Sequence, residues 1–216
     1  MTGRHAPEAP ADTRVLHQAA AICLAYPDAA FRAGLPLLRR ALAAVRHDAG
    51  PPLREFADHA AGASDAALTA HYVETFDFTN RHSLHLSWWT DGDTRRRGEA
   101  LLRFKDAYRK HGMELSDEDL PDFLPVVLEF AAATGSDALL RDHRPALELL
   151  RLALTERGTP YARVLDAVCA TLPGASPKDR AAAHALARGG PPREDVGLDS
   201  APYGHLGMLP VLTGER

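Results

Sequence analysis

Residues 11–27 read ADTRVLHQAAAICLAYP. The apolar side chains Val15, Leu16, Ala19, Ile22, Cys23 and Tyr26 recur at three- and four-residue intervals, which puts them on one face of an α-helix. Asp12 or Thr13 offers a capped start, and Pro27, whose ring nitrogen has no proton to donate, offers a stop. A helix is therefore expected here, and the same punctuation recurs along the chain.

Leu38, Ala41, Leu42 and Val45 form a second stripe, and Leu53, Phe56, Ala57 and Ala60 a third that ends at Gly62. Ser64 opens a helix with Leu68, Tyr72, Thr75 and Phe76 on one side. Residues 77–92, DFTNRHSLHLSWWTDG, keep no period and are expected to be irregular. Asp93 or Thr94 caps a helix burying Leu101, Phe104 and Tyr108, closed by Lys110-His111-Gly112. Ser116 to Asp119 reads as a capping box, and Asp122 as the cap of FLPVVLEFAAAT. Leu147, Leu150 and Leu154 face Val164, Leu165, Val168, Cys169 and Leu172, and Thr159-Pro160 and Ser176-Pro177 read as helix starts. No segment alternates with period two, so the spacing predicts an all-α, single-domain bundle of about eight or nine helices. Its expected limits are 12–188, between a flexible amino terminus over 1–11 and a flexible, Gly- and Pro-rich tail over 189–216.

The 216 residues, 45% hydrophobic and 25% charged, suit a soluble domain with a real core. No apolar run approaches the roughly 18 residues that span a bilayer, and no secretory signal is present, so a cytoplasmic protein without membrane insertion is expected. A net charge of -4 gives no basic excess and argues against nucleic acid, including a binder built on Arg95-Arg96-Arg97. Cys23 and Cys169 read as reduced core thiols.

Catalytic patterns are missing. There is no GxSxG, no GxxxxGK[ST] and no strand-borne GxGxxG. His82-x-x-His85 with Asp91 and Asp93 suggests a small metal-dependent hydrolase, but it lacks a second ligand pair, so no metal and no enzyme are expected. More unusual is the crowding of Phe76, Phe78, Leu84, Leu86, Trp88 and Trp89, followed by acids at Glu114, Asp117, Glu118, Asp119, Asp122 and Glu129. Two readings stand: an apolar groove with an acidic rim for a basic amphipathic helix, or core aromatics beside helix-capping acids.

The stretch 72–98, YVETFDFTNRHSLHLSWWTDGDTRRRG, with ALLRFKDAYRKHGMEL after it, EDLPDFLPVVLEFAA over 118–132 and LAYPD at 24–28, closely resembles the NarJ family of respiratory nitrate reductase assembly chaperones. That family belongs to the wider TorD-like group of helical molybdoenzyme chaperones. The resemblance spans most of residues 15–170. Phe123 stands where many relatives have histidine, so no role for that imidazole transfers.

What the resemblance implies is a cytoplasmic, system-specific chaperone with a TorD-like fold, monomeric or dimeric. It would bind the amino-terminal peptide of the nitrate reductase catalytic alpha subunit, alone or within the apo alpha-beta complex. It would hold no cofactor stably, while molybdenum guanine dinucleotide and an iron-sulfur cluster enter the client before membrane anchoring. By the same resemblance the client-binding face comprises Tyr72, Phe76, Asp77, Leu84, Trp88, Asp93, Arg97, Asp122, Leu124 and Glu129. The alternative within this group is a chaperone for a dimethyl sulfoxide or trimethylamine oxide reductase.

Overall fold

The computed structural model describes residues 10–78, 80–92, 95–114 and 120–188. The described residues form eleven α-helices: α1 (Ala11–Leu24), α2 (Ala29–Ala44), α3 (Gly50–Gly62), α4 (Asp65–Phe76), α5 (Leu86–Asp91), α6 (Arg95–Lys110), α7 (Leu124–Thr134), α8 (Ala138–Asp142), α9 (Arg144–Arg157), α10 (Tyr161–Ala170) and α11 (Arg180–Arg188). Among the described residues there is no strand, only an isolated antiparallel bridge between His85 and Phe123. The all-α expectation is met, and the count exceeds eight or nine because short helices such as α5 and α8 are too brief to show a period.

Local chemistry sets several boundaries. The Asp28 carboxylate accepts from Phe31 N at 2.8 Å to start α2, and Ser64 accepts from Ala67 N at 3.3 Å to start α4. Gly135 and Gly158 end α7 and α9 with φ of 71° and 72°, a left-handed conformation that costs a residue with a Cβ about 1 kcal/mol.

α1 is the hub, packed against α7 on one side and α10, α2 and α3 on the others. Leu16, Ala20 and Leu24 of α1 enter a core with Phe56, Leu128, Leu147 and Tyr161. Arg14 ties α1 to α7 by donating to the carbonyls of Ala132 and Ala133, at 2.7 and 2.9 Å, at the electronegative end of α7. Cys23 and Cys169 are free buried thiols, as expected.

Several expectations need correction. Val15 and Tyr26 are exposed, while His17 is buried on the inward face of α1. The 77–92 segment is not irregular throughout: it contains a 3-10 turn, Asn80–His82, and α5. The first residue of α10 is Tyr161, whose N–H donates to the Thr159 hydroxyl at 3.4 Å. Ser176 does not cap α11. Asp179 does, accepting from Ala182 N at 2.8 Å, while the Ser176 hydroxyl donates to Glu148. The capping box at 116–119 and the two flanks beyond residues 10 and 188 lie outside the described residues.

Candidate functional site

The segment 83–91 is stitched to 120–124 across the aromatic-rich region. Leu86 N donates to the Asp122 carbonyl at 3.0 Å and Leu124 N to the Leu84 carbonyl at 2.8 Å, closing the small antiparallel bridge. Between these backbone contacts the Asp122 carboxylate is fully buried. It accepts from the Ser87 hydroxyl at 2.5 Å, from Ser87 N at 3.2 Å and from His85 Nδ1 at 3.1 Å. The Ser87 hydroxyl in turn accepts from Arg97 Nε at 3.3 Å.

Asp122 therefore caps α5 from another part of the chain, and the expectation that it caps its own helix is corrected: α7 begins after Phe123 with no side-chain cap. Asp122 serves two first-turn amides, Ser87 N through its carboxylate and Leu86 N through its carbonyl, while Trp88 N donates to the His85 carbonyl at 3.1 Å. Burial pushes the Asp122 pKa up, but the hydrogen bonds from His85 and Ser87 and the charges of His85 and Arg97 outweigh it, leaving the carboxyl below its ordinary value.

So held, α5 presents Trp88 and Trp89 to a cleft of about 850 Å³. The Trp89 indole donates to the Ser83 carbonyl at 2.9 Å, and its ring rests on Leu149, Leu152 and Ala183 of α9 and α11. The cleft is completed by Asn80, Arg81 and His82 of the 3-10 turn, by Ala153, Glu156 and Arg157 of α9 and by Arg180 of α11. Glu156 pairs with Arg180 at 2.9 Å, and Arg157 lies 3.7 Å from the Glu74 carboxylate, whereas Arg81 has no acidic partner among the described residues. Burial lowers the pKa of His82, whose Nδ1 lies 3.1 Å from the Thr75 carbonyl.

The expected site residues divide. Trp88 lines the cleft, Arg97 and Asp122 support the helix that bears it, and Asp77 and Glu129 are exposed on α4's end and on α7. Tyr72, Leu84 and Leu124 are core: Tyr72 donates to the Leu24 carbonyl at 3.3 Å and, with Phe76, packs edge-on with Tyr161. Asp93 lies outside the described residues, as do Asp117, Glu118 and Asp119. Among the described residues the expected acidic rim does not surround Trp88. Asp122 turns inward, and the described charges at the cleft are mostly guanidinium groups.

Sequence reading missed Arg81, Arg157 and Arg180 as neighbours of Trp88, because they come from three separate elements. It also missed Ser87, whose only signal is its second position in a helix too short to detect. Among the described residues no three His, Cys, Asp or Glu side chains converge as metal ligands.

The sequence profile described as nitrate reductase delta subunit matches residues 28–166, which holds the whole cleft except Arg180. The chain belongs to this family. Over 165 residues it is 31% identical to the probable nitrate reductase molybdenum cofactor assembly chaperone NarJ of Bacillus subtilis, covering 74% of this chain and 90% of that one. NarJ of Escherichia coli K12 is 34% identical over 66% of this chain and 63% of its own length. The nitrate reductase-like protein NarX of Mycobacterium tuberculosis is 38% identical over 73% of this chain, which spans only 24% of NarX. A crystal structure described as a redox enzyme maturation protein of Archaeoglobus fulgidus shares the fold, with a TM-score of 0.56 and 19% identity over 78% of this chain and 97% of that one. The two NarJ relatives are named as molybdenum cofactor assembly chaperones.

Proposed function

We propose that this chain is a cytoplasmic chaperone that binds the amino-terminal segment of the catalytic alpha subunit of a nitrate reductase, alone or within the apo alpha-beta complex. It keeps that client open while molybdenum guanine dinucleotide and an iron-sulfur cluster are inserted, before membrane anchoring. The observation that carries the reading is the family match across the segment that builds and supports the Trp88 helix, joined to relatives named as molybdenum cofactor assembly chaperones. No described helix is long and apolar enough to cross a membrane.

Physically, such a chaperone needs a rigid apolar anchor that is not consumed by its own core. Trp88 fits: it is half-buried, set on a helix whose first turn is fixed by Asp122, and it faces a cleft. Phe78, 74% exposed at the end of α4, adds apolar surface before the 3-10 turn. Among the described residues of the expected face, Asp77 and Glu129 are exposed carboxylates and would orient basic groups of a client. The cofactor is cargo of the client in this account, and no residue of the chain is assigned to hold it.

The test is co-expression of the tagged chain with the subunits of a nitrate reductase encoded beside it. Co-purification of the alpha subunit, and a reductase lacking molybdenum when the chain is deleted, are expected. A fully loaded reductase in the deletion strain contradicts the reading.

A further inference from the structure

Arg180 and Glu156 meet at the Trp88 cleft in a two-point contact. The guanidinium donates from Nε to Oε1 at 3.2 Å and from Nη2 to Oε2 at 2.9 Å. The two side chains are 49% and 62% exposed, so solvent screens the pair and little holds it against a competing partner. Glu74, 3.7 Å from Arg157, is the other carboxylate beside the cleft, and Arg81 the third guanidinium. Of these cations, Arg180 alone sits on an element that can leave.

That element, α11, is held lightly. It has nine residues, fewer than the roughly 12 that a helix needs to persist alone in water. It rests on α9, and of its side chains from Arg180 to Leu186 only Ala183 is buried. Its root is pinned instead: Arg144 donates to the Gly174 carbonyl at 2.8 Å, Arg151 to the Pro177 carbonyl at 2.7 Å, and the Ser176 hydroxyl to Glu148 at 2.7 Å. Beneath α11 lie Leu149, Leu152 and the Trp89 ring. Leu149, Leu152, Ala153 and Glu156 share one face of α9 at i, i+3, i+4 and i+7, and the last two line the cleft. The strip under α11 therefore continues the cleft.

We propose that α11 is an internal stand-in for a basic amphipathic helix of the client. Arg180 occupies Glu156, and Ala183 covers Leu149, Leu152 and Trp89, until a client helix takes both places and α11 lifts about its pinned root. Glu156 is then a client-binding carboxylate that the resting protein masks. A basic group of the client replaces Arg180, so the charge around Glu156, Glu74, Arg81 and Arg157 stays balanced through the exchange. Displacement rests on the proposed function, since the displacing helix is the client's.

The test is isothermal titration of the full-length chain with the amino-terminal peptide of the catalytic subunit, for wild type, Arg180→Ala and Glu156→Gln, each confirmed folded by circular dichroism. Both variants break the same ion pair, but only Glu156→Gln removes the receptor for the client. Opposite effects are therefore expected: affinity about fivefold higher in Arg180→Ala and about fivefold lower in Glu156→Gln. Hydrogen exchange on wild type gives an independent readout, in which bound peptide should speed the α11 amides by about tenfold or more. The displacement is overturned, with the client left in place, if Arg180→Ala fails to tighten binding, if Glu156→Gln fails to weaken it, or if peptide leaves α11 exchange unchanged or slower. No binding by any of the three proteins overturns the proposed function, and the displacement with it.

Discussion

The Asp122 carboxylate and the Ser87 hydroxyl, 35 residues apart in the chain, meet at 2.5 Å in a fully buried setting. One acid thereby starts a helix to which it does not belong, and the Trp88 surface exists because of that contact.

Replacing Asp122 by alanine leaves Ser87 N and His85 Nδ1 without their acceptor inside the protein. The expected cost is about 3 kcal/mol of folding stability, above the roughly 1 kcal/mol of an ordinary exposed cap. Urea unfolding measures it. Asp122→Asn keeps an acceptor oxygen and should lose less. A change near 1 kcal/mol in the alanine variant would mean the contact acts only as a local cap.

Acid should act on the same contact with a definite sign. The folded pKa of Asp122 lies below its ordinary value, so its stabilisation is complete above the unfolded carboxylate pKa of about 4 and is lost as pH falls through the folded value. Asp122→Asn should therefore show a shallower loss of stability than wild type below about pH 4.

His17 sets a second and higher window. Burial, partly offset by Asp137 and reinforced by His47, lowers its pKa from 6.5 to about 4. The unfolded chain then takes up a proton that the folded one refuses, so stability falls as pH drops from about 6.5 towards 4. Between pH 7.5 and 5 the loss should be about 2 kcal/mol. His17→Leu should remove that slope because the titrating imidazole is gone, and Thr171, losing its 2.9 Å contact to His17 Nε2, still donates to the Val168 carbonyl. Parallel urea titrations at the two pH values decide it.

Glu148 offers a test away from the cleft floor. It is fully buried, accepting from Arg151 Nε at 2.7 Å and the Ser176 hydroxyl at 2.7 Å, with Arg144 at 3.4 Å. Glu148→Ala removes the carboxylate shared by two partly buried guanidinium groups, leaving Arg151 with Asp166 at 3.5 Å and Arg144 with the Gly174 carbonyl at 2.8 Å, and should cost about 3 kcal/mol in chemical denaturation. It should also free the approach to α11 and thereby alter the fluorescence of Trp89, which packs on Ala183.

The helices were legible where periodicity and caps coincide. α3 ends at Gly62 and α4 follows the Ser64 cap as the spacing predicts, because those signals are local. The site was less legible because its parts are assembled by packing. A six-residue helix shows no period, so α5 read as a loop, and the acid run that suggested a rim includes Asp122, which is consumed by long-range capping. The resemblance located the segment, but it could not separate Trp88, at the cleft, from Tyr72 and Leu124, which are core. Ser176-Pro177 misled for a related reason: Glu148, 28 residues earlier, claims the hydroxyl that would otherwise cap a helix.

In the proposed function Trp88 anchors the amino-terminal segment of a nitrate reductase catalytic subunit. The decisive experiment is isothermal titration of the full-length chain with that peptide, for wild type and a Trp88→Ala variant confirmed folded by circular dichroism. Saturable binding by wild type, weakened by about 2 kcal/mol or more in the variant, is the predicted result. Equal affinity in the two proteins would contradict the anchor role, and no binding by wild type would contradict the nitrate reductase client itself.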